Sequence, residues 1–296
     1  MQPNPVLKKL GLANDERVAI IHTDDIGMCQ ASVLAFAEVY AFGLISSGAV
    51  MVPCPWFLEA AAFARKHPQA DLGVHLTLTS EWATYRWGPV STRQVESGLI
   101  DAEGYFYRSS KEVQEHGDPD AVQLELEAQI KRACAAGIAL THYDTHMGAV
   151  VNPKFIPAYI SLALIHGLPL LIMRMDEAGW QAMGLDADTA RMATQTVEHL
   201  EGSGLPLLDN ITSLSLNQPE DRLGQAKKAF KELKPGITHF IIHPAKNTPE
   251  LRAITPDWRC RVADYETFQR DDLRKYIKDL GVQVIGYRLL KGLMPE

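Results

Sequence analysis

Arg17-Val18-Ala19-Ile20-Ile21-His22-Thr23-Asp24-Asp25-Ile26-Gly27 is an apolar run that ends in two adjacent carboxylates. The Val- and Ile-rich start predicts a buried strand. An acid at the end of such a strand loses hydration, and the loss must be offset by a metal, a cation or hydrogen bonds. Candidate partners lie downstream: His75 in Leu72-Gly73-Val74-His75-Leu76, and His142, Asp144 and His146 in Thr141-His142-Tyr143-Asp144-Thr145-His146. Each segment also reads as the end of a strand. The pattern predicts a metal site at one rim of a parallel α/β fold, and therefore an enzyme.

Working outward, short β-rich runs alternate with longer helical patterns, the sequence form of repeated βα units. Strands are expected near 18–23, 45–52, 71–78, 138–144, 169–174, 206–209, 238–243 and 282–287. Helices are expected near 29–42, 55–67, 119–136, 153–166, 187–202, 219–234 and 264–280. Pro153 and Pro157 mark a helix start, Gly137 and Gly167 mark helix ends, and Asp118-Pro119 reads as an N-cap followed by an N1 proline. The expected architecture is a (β/α) barrel, TIM-like or a near-closed variant, with seven to eight parallel strands. Barrels of this kind run to about 250 residues as one unit, so the 296 residues are expected to form a single domain, 1–296. The segment 79–118 is too long for a simple connection and reads as an insertion that lids the site. A second irregular stretch, 244–263, contains Pro244, Pro249 and Pro256.

Composition narrows the class. With 46% hydrophobic and 22% charged residues, the chain has ordinary globular content and apolar material for a sizeable core. A formal charge of −7 and no Lys/Arg cluster argue against a nucleic-acid partner. Cys29, Cys54, Cys134 and Cys260 are widely spaced and form no C-x-x-C pair, so neither a zinc ribbon nor a disulfide framework is expected. Residues 1–17 lack the apolar stretch of a signal peptide, and no apolar run approaches the ~20 residues that span a bilayer. A cytoplasmic protein without a membrane partner is expected, and nothing in the sequence opposes a homo-oligomer.

Extended backbone would put His142, Asp144 and His146 on one face. Asp24, Asp25, His75, His146 and His243 all fall at C-terminal strand ends, where barrels carry their catalytic groups. One carboxylate and two imidazoles leave open positions on a divalent metal for water and substrate, and a remaining carboxylate can serve as general base. Each part, taken singly, can also serve the fold alone. Asp24-Asp25 can cap the following helix, His75 can be a hydrogen-bonded core histidine, and His-x-Asp-x-His can belong to an exposed polar strand. Shared placement at strand ends favours the site.

Thr23-Asp24-Asp25-Ile26-Gly27, Gly73-Val74-His75-Leu76-Thr77-Leu78-Thr79, Thr141-His142-Tyr143-Asp144-Thr145-His146 and Ile242-His243-Pro244 resemble the ordered signature blocks of YdjC-like (ChbG-type) carbohydrate deacetylases. The resemblance implies a (β/α) barrel with one divalent metal ion, Zn²⁺ or Mg²⁺, held by Asp25, His75 and His146. It places Asp24 as general base and His243 near the leaving group as a catalytic acid or transition-state stabiliser, with Asp144 and His142 as outer partners that orient the ligands. The implied activity is hydrolytic removal of an acetyl group from an N-acetylated sugar or oligosaccharide, and the implied partner is a small carbohydrate.

The chain departs from the family pattern at His22, where Asn is usual, and after His146, where Met147-Gly148-Ala149-Val150 replaces further histidines. The aromatic loop Ser80-Glu81-Trp82-Ala83-Thr84-Tyr85-Arg86-Trp87 offers Trp82, Tyr85 and Trp87 as sugar-stacking residues, or equally as lid or interface packing. A metal-dependent sugar isomerase or aldolase, and a non-catalytic sugar-binding protein, are the alternatives. The first would need further carboxylate ligands, and the second would bind metal without turnover.

Overall fold

In the computed structural model, which describes residues 2–295, parallel strands form one curled sheet with helices packed around it. The strands are β1 (Arg17–Ile26), β2 (Ser47–Val50), β3 (Leu72–Leu76), β4 (Tyr143–Thr145), β5 (Asn210–Ser213), β6 (Gly236–Ile242) and β7 (Gln283–Val284). Their order is β4-β3-β2-β1-β6-β5, and β7 pairs with the first half of β1 through Val18 and Ala19. β1 is almost wholly buried, which explains its continuous apolar run: a parallel strand covered on both faces has no reason to alternate.

The architecture is α/β and parallel, as expected, and the sheet curls into a half-barrel; of the two expected forms, TIM-like or near-closed, the fully closed TIM-like ladder is not present. β4 and β5 form the two edges of the ladder. The segment 169–174, expected to be a strand, crosses between them by single bridges, Tyr143 to Leu170 and Met173 to Leu208. Leu171 donates its N–H to Tyr143 O, whereas Arg174 donates to Leu208 O, so the segment changes partners within three residues and never builds a ladder. Pro169 has no N–H to add to one. The strand expected at 206–209 falls at 210–213, and that expected at 282–287 shrinks to two residues.

Local chemistry sets most helix boundaries. Asp118 caps the helix Pro119–Ala135 by accepting from Ala121 N, and Gly167 ends Ile156–His166 with φ 59°. The long helix expected at 264–280 is two helices, Trp258–Thr267 and Asp271–Asp279. The segment 79–118 is folded down by its own core residues: Trp87, Leu99, Ile100, Phe106 and Val113 are all buried. Arg86 ties it together through Asp101 (2.7 Å), Glu103 (3.1 Å) and Phe106 O (2.7 Å). Among the described residues no helix is long and apolar enough to cross a membrane.

One irregularity positions the site. Against β2, Thr23 pairs with Gly48 and Ile26 with Val50, so β1 carries one extra residue at Asp24-Asp25. Asp25 adopts φ 61°, a left-handed conformation that is uncommon for a non-glycine residue. Adjacent residues of a regular strand point to opposite faces. The bulge turns both carboxylates toward the same cavity.

Candidate metal centre and active site

β1, β3, β4 and β6 deliver Asp24, Asp25, His75, Asp144, His146 and His243 to one end of the sheet, around a cavity of about 740 Å³. Asp25 Oδ1 lies 3.5 Å from His75 Nε2 and 3.2 Å from His146 Nδ1. It is buried and has no hydrogen-bond partner. One ligand atom from each of Asp25, His75 and His146 lies within 4.8 Å of the other two, a spacing that lets the three converge on one ion.

Each imidazole is backed by a second carboxylate. His75 Nδ1 donates to Asp144 Oδ1 at 2.7 Å, and His146 Nε2 lies 3.2 Å from Glu81. Such a partner holds the proton on the outer nitrogen and leaves the inner lone pair for a metal. Burial alone would depress both imidazoles. The surrounding acids outweigh it, raising His75 to about 9 through Asp144 and Asp24, and His146 to about 10 through Glu81 and Asp25. A centre this acidic calls for a cation. The orphaned oxygen, the two oriented imidazoles and the surplus of acid fit a divalent metal.

The other oxygen of Asp25 is already engaged, because Arg261 Nη1 donates to Oδ2 at 2.7 Å. Asp257 in turn holds the guanidinium at 2.7 and 3.2 Å. Against the cost of burial, Arg261 and His146 keep the Asp25 carboxyl well below the usual carboxylate range. Asp25 therefore stays an anion with one oxygen free.

Asp24 is held differently. His22 Nδ1 lies 2.7 Å from Asp24 Oδ1, while Oδ2 faces the cavity, 3.7 Å from His75 Nε2 and 3.8 Å from His243 Nε2. Burial would raise its pKa, but His75 and His22 reverse the shift, so the carboxyl is ionised and can accept a proton. His142 does not touch the three candidate ligands. Its Nε2 meets His22 Nε2 at 2.9 Å, its Nδ1 meets Thr141 Oγ1 at 2.9 Å, and its ring stacks on Tyr287 at 3.9 Å. A Cβ at Gly73 would lie 2.6 Å from this ring, which is why β3 carries glycine there. His142, Asp144 and His146 thus have different partners: His142 meets His22, Asp144 meets His75, and His146, at the turn that follows β4, meets Asp25. His243 sits just past β6, its backbone N–H bonded to Asp264 and its Nδ1 buried without a partner.

Glu81 and Arg261 are site residues that the sequence does not single out. Glu81 lies inside the expected insertion with nothing to distinguish it from its neighbours. Arg261 lies in the irregular stretch 244–263, where the Asp257-x-x-x-Arg261 spacing is a helical ion-pair signal that could mark it.

The aromatic loop requires a correction. Trp82 lines the cavity, but Tyr85 and Trp87 do not. Tyr85 donates its hydroxyl to Met28 O, and Trp87 is 4% exposed with its indole N–H bonded to Thr79 O. Both are committed to packing the insertion onto the core. Trp87→Ala is expected to cost about 3–5 kcal/mol of stability, the range for deleting a buried aromatic side chain. Chemical denaturation checks this, and a loss under about 1 kcal/mol would be too small for a packed core tryptophan.

Residues 18–279 match the family model described as YdjC-like protein. A carbohydrate deacetylase of Thermus thermophilus is 34% identical over 279 residues, covering 93% of this chain and 94% of the relative. One from Thermoanaerobacter pseudethanolicus is 25% identical, covering 92% and 98%. A crystal structure from Enterococcus faecalis, of a protein provisionally described as a cellobiose-phosphate cleavage protein, superposes with a TM-score of 0.74 at 22% identity. It covers 93% of this chain and 99% of that one, a likeness of fold.

Proposed function

The chain belongs to the YdjC-like protein family, and we propose that it is a divalent-metal-dependent carbohydrate deacetylase that hydrolyses the acetamide of an N-acetylated sugar. The observation that carries this reading is the unpartnered Asp25 Oδ1, which faces two carboxylate-backed imidazoles with the free oxygen of Asp24 beside them. Asp25, His75 and His146 would hold the ion. When bound, it would polarise the acetyl carbonyl and make water acidic enough to attack at neutral pH.

The chain's own groups account for the protons. Asp24 Oδ2 accepts the proton of the attacking water, while His22 keeps the carboxylate turned toward the cavity. The C–N bond then breaks, acetate and a free amine form, and the departing nitrogen takes up a proton. His243 faces Asp24 Oδ2 at 3.8 Å and is placed to assist that transfer. Burial lowers the His243 pKa, so its imidazole is neutral and acts as a hydrogen-bonding relay rather than a resident acid. Glu81 and Asp144 fix the ligand rings. Two imidazoles and one carboxylate suit Zn²⁺, and Mg²⁺ is the competing candidate.

The test is acetate release from N-acetylated mono- and oligosaccharides by protein stripped with a chelator and reloaded with Zn²⁺, Mg²⁺, Mn²⁺ or Co²⁺. Chelation is expected to abolish release, and one of these ions to restore it. Undiminished turnover by metal-free protein would remove the metal mechanism.

A further inference from the structure

The cavity is chemically two-sided. Its charged groups come from the ends of β1, β3, β4 and β6, from the loop that carries Glu81, and from the helix Trp258–Thr267 with its cap Asp257. The apolar wall is built from Ile172 and Met173 of the bridging segment, Trp180, Met192 and Val197 of the two helices Glu177–Ala182 and Ala187–Gly202, and Ile211 of β5. At the mouth, large apolar side chains stay open to solvent: Met147 is 51% exposed, Val151 57%, Met192 58% and Ile211 40%. Polar side chains on this wall are few: Thr196 donates its hydroxyl to Met192 O and Thr189 to Asp186, while the buried Trp180 Nε1 has no partner.

A second sugar ring would be poorly served here, because its hydroxyls would lose water and find few partners, and an unmet buried hydroxyl is costly. The aromatic faces of the cavity are divided: Trp82 lies on the charged side, and Trp180 belongs to the apolar wall. A hydrocarbon, by contrast, gains free energy from every methylene it buries. The volume falls in the range of roughly 300–1,000 Å³ typical of pockets that enclose a drug-sized ligand. Because the wall belongs to the same cavity as the catalytic carboxylates, a substrate whose acetamide reaches Asp24 can lay a further group on it.

Resting on the deacetylase reading, we infer that the substrate is an amphiphile: an N-acetylated amino sugar bearing an apolar aglycone, with the acetamide at the charged end and the hydrocarbon on the Ile172–Ile211 wall. The test compares methyl, butyl, hexyl and octyl N-acetyl-β-glucosaminides, below their micelle concentrations, with N-acetylglucosamine oligomers. Acetate release gives kcat/KM, and calorimetry with the corresponding alkyl β-glucosides gives binding without turnover.

A rise in kcat/KM of roughly threefold to fourfold per buried methylene is expected, and Met192→Glu should flatten that slope. A flat series, or oligomers surpassing the octyl compound, would overturn the inference while leaving the deacetylase reading intact. A slope that Met192→Glu does not alter would overturn the wall assignment. If no compound released acetate but alkyl glucosides still bound with chain-length dependence, the apolar subsite would stand and the deacetylase reading would fall. A dimer in sedimentation that Met192→Glu dissociates would assign the face to a second copy of the chain and overturn the inference.

Discussion

Asp25→Asn is expected to weaken divalent-metal binding on the order of 100-fold or more and to abolish acetate release with it. Loss of even an outer partner of a metal ligand costs about 10–100-fold in affinity or activity, and this substitution removes the only anionic donor of the candidate set. Asn preserves the shape and can still accept from Arg261, whose hydrogen bond is to the other oxygen. The fold should therefore survive well enough to test. Breaking a buried ion pair nevertheless costs about 3–5 kcal/mol when one charge is left unpaired, so His146→Ala provides an independent route to the same conclusion. It removes a ligand without touching Arg261. Metal content and turnover are measured on both variants; full metal occupancy with normal turnover in either would remove that residue from the ligand set.

Asp24→Asn should separate binding from catalysis. Oδ1 is bonded to His22 and Oδ2 faces the cavity, so the side chain sits beside the candidate ligand set without being needed to complete it. An amide cannot take the proton of the attacking water. Metal content is expected to stay near normal while kcat falls by roughly 10²- to 10⁴-fold, the usual contribution of general acid–base catalysis. The acidic limb of the kcat/KM profile should vanish or move in the residual activity. Metal loss in Asp24→Asn with retention in Asp25→Asn would exchange the two roles. Near-normal turnover in both would end the hydrolase mechanism.

These adjacent acids also show where sequence reading reaches its end. The apolar run before them declared a buried strand, and carboxylates at the end of such a strand demanded compensation. Residue types and strand-end positions therefore determined that Asp24, Asp25, His75, His146 and His243 would meet at one rim of a parallel α/β fold. That information is local, because burial and alternation act over a few residues. Which acid presents which oxygen was decided by the bulge against β2 and the left-handed backbone at Asp25, both products of pairing between distant segments. Glu81 and Arg261 belong to the same category: a loop and a helix bring them in from beyond the signature blocks, and their ion pairs exist only across the folded chain. The aromatic loop shows the converse. Composition made Trp82, Tyr85 and Trp87 equivalent, and packing separated them: the buried Trp87 indole, its N–H bonded to Thr79 O, lies outside the cavity that Trp82 lines. Closure of the barrel was likewise beyond local reading. An apolar segment such as 169–174 carries strand propensity, but whether it builds a ladder depends on the edges it meets, and here it meets two different edges for one residue each.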